Sequence, residues 1–264
     1  MTTSASSALT ISNQGAVRTI TLNRPDVRNA FNDTVIAELK AAFDAAAQAP
    51  DVRCVVLAAN GSAFCAGGDL NWMRRMADYT REQNMADAQA LAVMLRAIDQ
   101  CPHPTVARVQ GDVFAGGLGL LSTCDMVVSA DSATFCLSEV KIGLIPATIS
   151  PYVVRAIGAR AARRYFMTAE RFSAAEAHRI GLVHESVPMA QLDATVQALV
   201  QALCANSPMA VKDAKRLVET VAGLDISEAM IAKTVSGIAD SRASAEGKEG
   251  VQAFLDKRKP SWLL

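Results

Sequence analysis

Alternating apolar and polar positions open the chain, and helical spacing dominates its end. Residues 8–12 and 16–22 alternate and carry β-branched side chains, which predicts a β-hairpin. Apolar positions at helical spacing follow Asn32 or Asp33, either of which can cap a helix, and a long helix is predicted over about 82–100. Short apolar runs predict further strands at 53–58, 105–110, 125–130 and 133–137.

Two glycine-rich loops, at 61–68 and 111–119, each separate a strand from a helix. Strand, glycine loop, helix and strand recur at irregular intervals, which favours an α/β fold of stacked β-β-α units. We therefore expect three regions: a disordered N-terminus at 1–10, a β-β-α core with the active site at 11–190, and a helical C-terminal region at 191–264.

Composition and charge exclude several classes of function. Lys plus Arg and Asp plus Glu are equal at 26 each, so no basic excess is available to hold nucleic acid or an anionic membrane. No window reaches the ~18 apolar residues of a membrane helix, and the first ten residues lack the order of a secretory signal. The six cysteines form no C-x-x-C pair, so we expect buried thiols, no metal and a cytoplasmic location.

The segment AFCAGGDL, residues 63–70, is the first with chemical interest. A strand runs into Ala66-Gly67-Gly68, and a helix is predicted to begin near Asp69. The first N–H groups of a helix lack partners, and small residues let a ligand approach them, which suits a developing oxyanion. A tight turn without a ligand is the alternative. The dinucleotide fingerprint and the Walker loop are both absent.

The segment GDVFAGGLGL, residues 111–120, repeats this arrangement, so two N–H donors could converge on one carbonyl oxygen. Glu139 follows the predicted strand at 133–137 and has apolar neighbours. It is either a surface residue or, if it points into an apolar site, a base and acid whose pKa is raised by desolvation.

These segments, together with TLNRPDVRNAF at 21–31 and AFLDKRKPSW at 253–262, resemble the enoyl-CoA hydratase/isomerase (crotonase) family. The resemblance runs from about Ile11 to Trp262, with the motifs in the family's order. It implies a crotonase-like spiral of β-β-α units with a C-terminal helical trimerisation region. It also implies an acyl-CoA thioester substrate, a homotrimer or dimer of trimers, and no separate cofactor, because coenzyme A is part of the substrate.

The resemblance also assigns roles to residues. It places the two oxyanion N–H groups on Gly68 and Gly116 and the catalytic carboxylate on Glu139. The last helix is expected to bring Phe254 and Lys257 towards CoA, often from a neighbouring subunit. The positions that fall where the family lines the CoA path are Val27, Arg28, Ala30, Ala66, Asp69 and Leu70.

One position departs from the family's pattern. Two-glutamate hydratases carry a second carboxylate in the second glycine loop, as G-G-G-x-E, and here that position is Gly119. One carboxyl group would then have to serve both as base and as acid. We expect Gly119 to lie against the substrate and to leave volume for a bulkier or branched acyl group.

Residues 69–79 and 138–172 are most similar to bacterial methylglutaconyl-CoA hydratases and related hydratases of branched glutaconyl-CoA thioesters, which act in leucine and acyclic terpene breakdown. Such substrates carry a second carboxylate, for which Arg74 and Arg75 are candidate partners unless they face solvent. Two alternatives remain open: an enoyl-CoA isomerase that uses one glutamate, and a catalytically silent acyl-CoA binder.

Overall fold

The computed structural model describes residues 8–263, and two β-sheets form its centre. The strands of the larger sheet are β1 (Leu9–Gln14), β2 (Val17–Leu22), β3 (Cys54–Ala59), β5 (Thr105–Val109), β7 (Met126–Ala130) and β10 (Glu185–Val187), in that spatial order. The strands of the smaller sheet are β4 (Ala63–Cys65), β6 (Asp112–Phe114), β8 (Thr134–Cys136) and β9 (Phe172–Ser173).

The chain alternates between these sheets as it advances. β1 and β2 form the predicted antiparallel hairpin, and β2, β3, β5, β7 and β10 then pair in parallel. After each of β3, β5 and β7 the chain crosses to β4, β6 or β8, which pair in parallel in the smaller sheet. This alternation, with a helix after each crossing, is the expected spiral of β-β-α units.

Over residues 8–263, six helices accompany the sheets and four follow them. The first six are α1 (Asp33–Ala47), α2 (Leu70–Met76), α3 (Arg81–Asp99), α4 (Gly116–Thr123), α5 (Ser150–Thr168) and α6 (Ala174–Arg179). The C-terminal helices are α7 (Met189–Ala205), α8 (Pro208–Val221), α9 (Glu228–Ala243) and α10 (Ala245–Leu255). Asn32 is the residue that caps α1, since its side chain accepts the N–H of Val35, and Ser207 caps α8 before Pro208.

The main core lies between the sheets and the apolar faces of the surrounding helices. Leu39 and Phe43 of α1 and Leu95 and Ile98 of α3 are fully buried there. A second cluster joins the outer face of the larger sheet to α7, through Leu192, Val196 and Val200. Thus α7 packs on the sheet, and α8, α9 and α10 form the more exposed part of the C-terminal region.

Sequence patterns missed some elements and misplaced one boundary. The pattern did not predict α5, and β9 and β10 are too short to show an alternation of their own. Ala8 is buried and β1 begins at Leu9, so order starts before residue 11. The rest of the predicted disordered terminus, residues 1–7, lies outside the described residues, as does Leu264. Across the described part of the chain, none of the helices has the length and hydropathy needed to traverse a bilayer.

Candidate active site

Three turns of chemical interest follow three neighbouring parallel strands. β4 pairs with β6 through Cys65 and Val113, and β6 pairs with β8 through Phe114 and Cys136. The carboxyl ends of these strands therefore lie at one edge of the smaller sheet. The first glycine turn, the second glycine turn and Glu139 all leave the sheet at this edge.

The two glycine turns are in direct contact. A Cβ added to Gly67 would lie 3.1 Å from the Cβ of Ala115, and one added to Gly117 would lie 2.9 Å from the Cβ of Cys65. Gly67 has φ +93° and Ala115 has φ +48°, a conformation that costs a non-glycine residue about 1–3 kcal/mol. Small residues are required here because two backbones approach each other closely.

Pairing with Phe31 fixes the direction of the Gly68 peptide. The N–H of Phe31 donates to the carbonyl of Gly67, and its carbonyl accepts the N–H of Asp69, each at 2.7 Å. These bonds use the groups on either side of Gly68, so its own N–H points away from Phe31. Gly68 itself is half-buried.

Gly116 is the first residue of α4, so its N–H belongs to the positive end of a helix. It is half-buried, as is Gly68. Within residues 8–263, no acceptor bonds to the N–H of Gly68 or of Gly116. The structure therefore places two unpaired donors at the same edge of the sheet. An oxyanion hole needs two such donors directed at one oxygen atom, and that convergence stays a prediction.

Glu139 begins a 3₁₀ turn, Glu139–Ile142, directly after β8. Gly143, at φ +76°, closes this turn by donating its N–H back to the carbonyls of Glu139 and Val140. The Oε2 atom of Glu139 is buried, and no described residue hydrogen-bonds to it. Burial raises the pKa of the Glu139 carboxyl, and a backbone hydrogen bond offsets only part of that effect.

The segment that follows Glu139 carries exposed apolar side chains. Ile142, Leu144 and Ile145, which follow Glu139 in the chain, are 58%, 50% and 72% exposed. Such a cluster of exposed apolar residues is typical of a surface that binds an apolar ligand group.

The space expected at Gly119 is not free. A Cβ added to Gly119 would lie 2.3 Å from Cγ2 of Ile149 and 3.4 Å from Cδ2 of Leu95. Ile149 is 1% exposed and Leu95 is fully buried. The expectation that Gly119 leaves volume for a bulkier acyl group was wrong, because the Ile149 side chain fills that space.

The residues predicted to line the CoA path lie close to the first glycine turn. The carbonyl of Arg28 accepts the N–H of Ala66 at 3.0 Å, and the Arg28 side chain pairs with Asp112 at 2.8 Å. Val27 and Leu70 are exposed and Ala30 is buried. Their contact with CoA stays a prediction.

The carboxylate of Asp69 is not free, because it has structural partners within the chain. Its side chain accepts the N–H groups of Asn71 and Trp72, which caps α2, and it pairs with Arg24 at 2.9 Å. Burial alone would raise the pKa of Asp69, but the bonds from Arg24 and the two backbone N–H groups lower it below its usual value. The Asp69 carboxylate is thus fully engaged within the chain, and the predicted contact of Asp69 with CoA stays a prediction.

Asp69→Ala should lower the free energy of unfolding by about 1–2 kcal/mol, since an N-cap is lost beside an unpaired Arg24. Because the folded pKa is lowered, the stabilisation is present above the unfolded pKa and is lost as pH falls through the folded value. Urea unfolding at pH 7 measures the loss. Asp33→Ala, which removes an exposed ion pair with Arg75, is the control, and an equal loss in both variants would contradict the assignment.

The other predicted residues are exposed. Arg75 pairs with Asp33 at 3.0 Å, and Arg74 donates to Asn71 at 2.8 Å. Phe254 is 82% exposed and Lys257 is also exposed, at the end of a helix that packs on α8 and α9. Their approach to CoA from a neighbouring subunit stays a prediction.

Sequence reasoning missed the side chains behind Gly68. A Cβ on Gly68 would lie 3.3 Å from Cγ of Met73 and 3.8 Å from Cε3 of Trp72. Both residues belong to α2. A tryptophan three residues after the N-cap of this helix was the feature of the sequence that could have indicated the contact with Gly68. Within residues 8–263, no three His, Cys, Asp or Glu side chains are grouped so as to hold a metal ion.

Comparisons with known proteins show the family and the fold of this chain. The family model described as enoyl-CoA hydratase/isomerase matches residues 12–263. The structure of an enoyl-CoA hydratase from Shewanella pealeana is 42% identical, with a TM-score of 0.94 over 97% of this chain and 96% of that chain. One from Mycobacterium smegmatis is 36% identical, with a TM-score of 0.91 over 97% of this chain and 99% of that one.

Pseudomonas aeruginosa AtuE is 34% identical, with a TM-score of 0.93 over 97% of this chain and the whole of that chain. All three structures carry the crotonase-like spiral across nearly their full length. Since the family model also spans almost the entire sequence, the chain belongs to the enoyl-CoA hydratase/isomerase family.

Proposed function

We propose that this protein is an enoyl-CoA hydratase that adds water across the 2,3 double bond of an acyl-CoA thioester. The observation that supports the proposal is that two unpaired backbone donors and a buried carboxyl oxygen without a partner among the described residues follow three neighbouring strands at one edge of the small sheet. The two donors can stabilise negative charge on the thioester oxygen, and the carboxyl group can transfer protons.

The thioester carbonyl binds between the N–H groups of Gly68 and Gly116. Both donors strengthen their bonds as the oxygen becomes an enolate, so they favour the transition state over the bound substrate. Loss of one such donor typically costs about 3 kcal/mol of barrier. The acyl chain extends along the apolar side chains that follow Glu139.

Glu139 moves the protons. In its ionised form it takes a proton from water as the oxygen bonds to the β-carbon, and the electron pair of the double bond passes to the thioester oxygen. The neutral acid then returns that proton to the α-carbon, so water is added without a net change at Glu139. A raised pKa suits both steps, because the carboxylate becomes a stronger base and its acid remains able to donate near neutral pH.

We further propose 3-methylglutaconyl-CoA or a related branched glutaconyl-CoA as substrate. The similarity of residues 69–79 and 138–172 to hydratases of such thioesters supports this assignment. Arg74 and Arg75 lie a little more than one helical turn after Asp69. The ion pair of Arg75 with Asp33 is exposed, so Arg75 can exchange Asp33 for a substrate carboxylate at little cost in free energy.

A panel of thioesters in ¹⁸O-labelled water tests the proposal. Crotonyl-CoA, 3-methylglutaconyl-CoA and a 3-enoyl-CoA would be incubated with the enzyme and their products analysed by mass spectrometry. Incorporation of one labelled oxygen into a 2-enoyl substrate supports hydration, with the fastest turnover expected for 3-methylglutaconyl-CoA. Absence of labelled product from every 2-enoyl substrate would exclude hydration.

Enoyl-CoA isomerisation is the second candidate, and the apolar contact at Gly119 favours it. With Ile149 against Gly119, no second carboxylate occupies that position, and one carboxyl group can remove and return a proton without water. Conversion of the 3-enoyl-CoA without labelled oxygen would support this alternative. Thermal stabilisation by acyl-CoA without any turnover would instead indicate a silent binder.

We also propose that the chain forms a homotrimer or a dimer of trimers. Ile231, Val235 and Ile238 form an exposed stripe on α9, and a groove of about 910 Å³ separates α8 from the core. Such surfaces are typical of helices that pack on another subunit.

Light scattering after size-exclusion chromatography should therefore give three or six times the 27.9 kDa chain mass. Ile238→Asp should dissociate the assembly, because it buries a charge in an apolar contact. Lys233→Asp, on the same helix, is the control for a change of charge alone. A monomeric wild-type protein would contradict this proposal.

A further inference from the structure

Trp72 lies directly behind the first oxyanion donor. Its indole is 6% exposed, and its Cε3 atom is 3.8 Å from the point where a Cβ on Gly68 would stand. Phe31 holds the opposite side of the Gly68 peptide through the two backbone bonds that flank it. Gly68 is thus paired with Phe31 through its flanking peptides, and its Cα is covered by the Met73 side chain, at 3.3 Å from the same point, and by the indole ring.

Among the described residues, the indole has one hydrogen-bond partner, and it lies on another helix. Nε1–H of Trp72 donates to Oδ1 of Asp87 at 3.0 Å. Asp87 belongs to α3 and is half-buried, among the otherwise mostly exposed residues of the first half of that helix. The Asp69 cap holds only the backbone at the start of the seven-residue helix α2. The bond to Asp87 holds the indole side chain of Trp72.

The same helix also contacts the element that carries the second donor. Leu95 of α3 packs against Gly119 of α4, where its Cδ2 lies 3.4 Å from a Cβ added to that glycine. Asp87 and Leu95 are about two helical turns apart and so lie on one face of α3. One rigid helix therefore touches both α2, which follows Gly68, and α4, which begins at Gly116.

We propose that Asp87 is a positioning residue for the oxyanion hole. By accepting the indole N–H it fixes Trp72 against the Gly68 turn, and α3 thereby sets the Gly68 N–H relative to the Gly116 N–H. Asp87 acts through Trp72 and touches no reacting atom. The inference rests on the proposed function, since the two N–H groups must bind a thioester oxygen for their spacing to matter.

Loss of the acceptor should lower kcat and leave substrate binding almost unchanged. Asp87→Ala leaves a buried indole N–H without a partner, so the ring can shift and misplace the donor that the transition state needs most. We expect kcat to fall about tenfold and KM to change less than twofold, as for an interaction made mainly in the transition state. Asp87→Asn keeps an acceptor oxygen and should restore most of the activity.

A double-mutant cycle with Trp72→Phe isolates the contact. If Asp87 acts only through the indole N–H, Asp87→Ala should have little further effect on kcat in the Trp72→Phe background. Glu82→Gln, an exposed change on the same helix, is the control and should leave kcat unchanged. Thermal unfolding of each variant shows that the protein remains folded.

Fluorescence supplies a readout that does not depend on turnover. The chain has two tryptophans, so in a Trp262→Phe background emission reports Trp72 alone. Asp87→Ala should shift that emission and Asp87→Asn should not. Wild-type kcat in a folded Asp87→Ala variant, or failure of Asn to restore activity, would overturn the inference. Absence of wild-type turnover on every enoyl-CoA would instead overturn the proposed function, whatever the fluorescence shows.

Discussion

Glu139→Gln is expected to lower kcat by about 10²–10⁴-fold, because the amide can neither take a proton from water nor return one to the α-carbon. Binding of the CoA thioester should change little, since Gln has nearly the same volume and the two N–H donors remain. Steady-state kinetics on the best substrate of the panel measures kcat, and calorimetry with a non-reactive acyl-CoA measures binding. The expected result is therefore an inactive protein that still binds its ligand.

The pH profile of the wild-type enzyme gives a second test of the same residue. Burial raises the pKa of Glu139, and the reaction starts from the carboxylate, so the rate should fall on the acid side at a pH above the usual value of 4.5. Glu185→Gln, an exposed change on β10, should leave both the rate and the profile unchanged. Full activity of Glu139→Gln, or an acid limb at the ordinary glutamate pKa, would remove Glu139 from the mechanism.

Features that depend on neighbouring residues were predictable from the sequence. Alternation predicted the hairpin, and segments of about ten residues predicted the strand, small-residue turn and helix start around Gly68 and around Gly116. Their convergence is less local, because it requires β4, β6 and β8 to pair in parallel. The family resemblance supplied that expectation, and the register of the small sheet explains it.

Contacts between side chains far apart in the sequence were not predictable. The bond from Trp72 to Asp87 spans 15 residues, and the pair of Arg75 with Asp33 spans 42. Periodicity identifies the face of a helix but not the partner that meets it, so Arg75 could be read as free and Asp87 could not be singled out. Gly119 shows the same limit. The sequence shows that this position has no side chain, but not that the Ile149 side chain fills the space beside it.

Gly119→Ala should test that filled position and is expected to be destabilising by about 1–3 kcal/mol. The new Cβ would lie 2.3 Å from Cγ2 of Ile149, and Ile149 is too deeply buried to move aside without disturbing its neighbours. Ile149→Ala alone should cost about 2–5 kcal/mol through the cavity that it leaves. Combining the two changes should cost less than their sum, because each relieves the defect of the other.

Urea unfolding of the two single variants, the double variant and the parent measures this coupling. Gly237→Ala is the matched control, since a Cβ there meets nothing within 4 Å and the position lies in the middle of α9, off its apolar stripe. Alanine there should be neutral or stabilising by up to ~1 kcal/mol, from helix propensity alone. If Gly119→Ala behaved like Gly237→Ala, the space beside Gly119 would be open after all, and a branched acyl group could occupy it. If it behaves as expected, Ile149 has taken the place beside Gly119, and Glu139 has to carry both proton transfers of the proposed reaction.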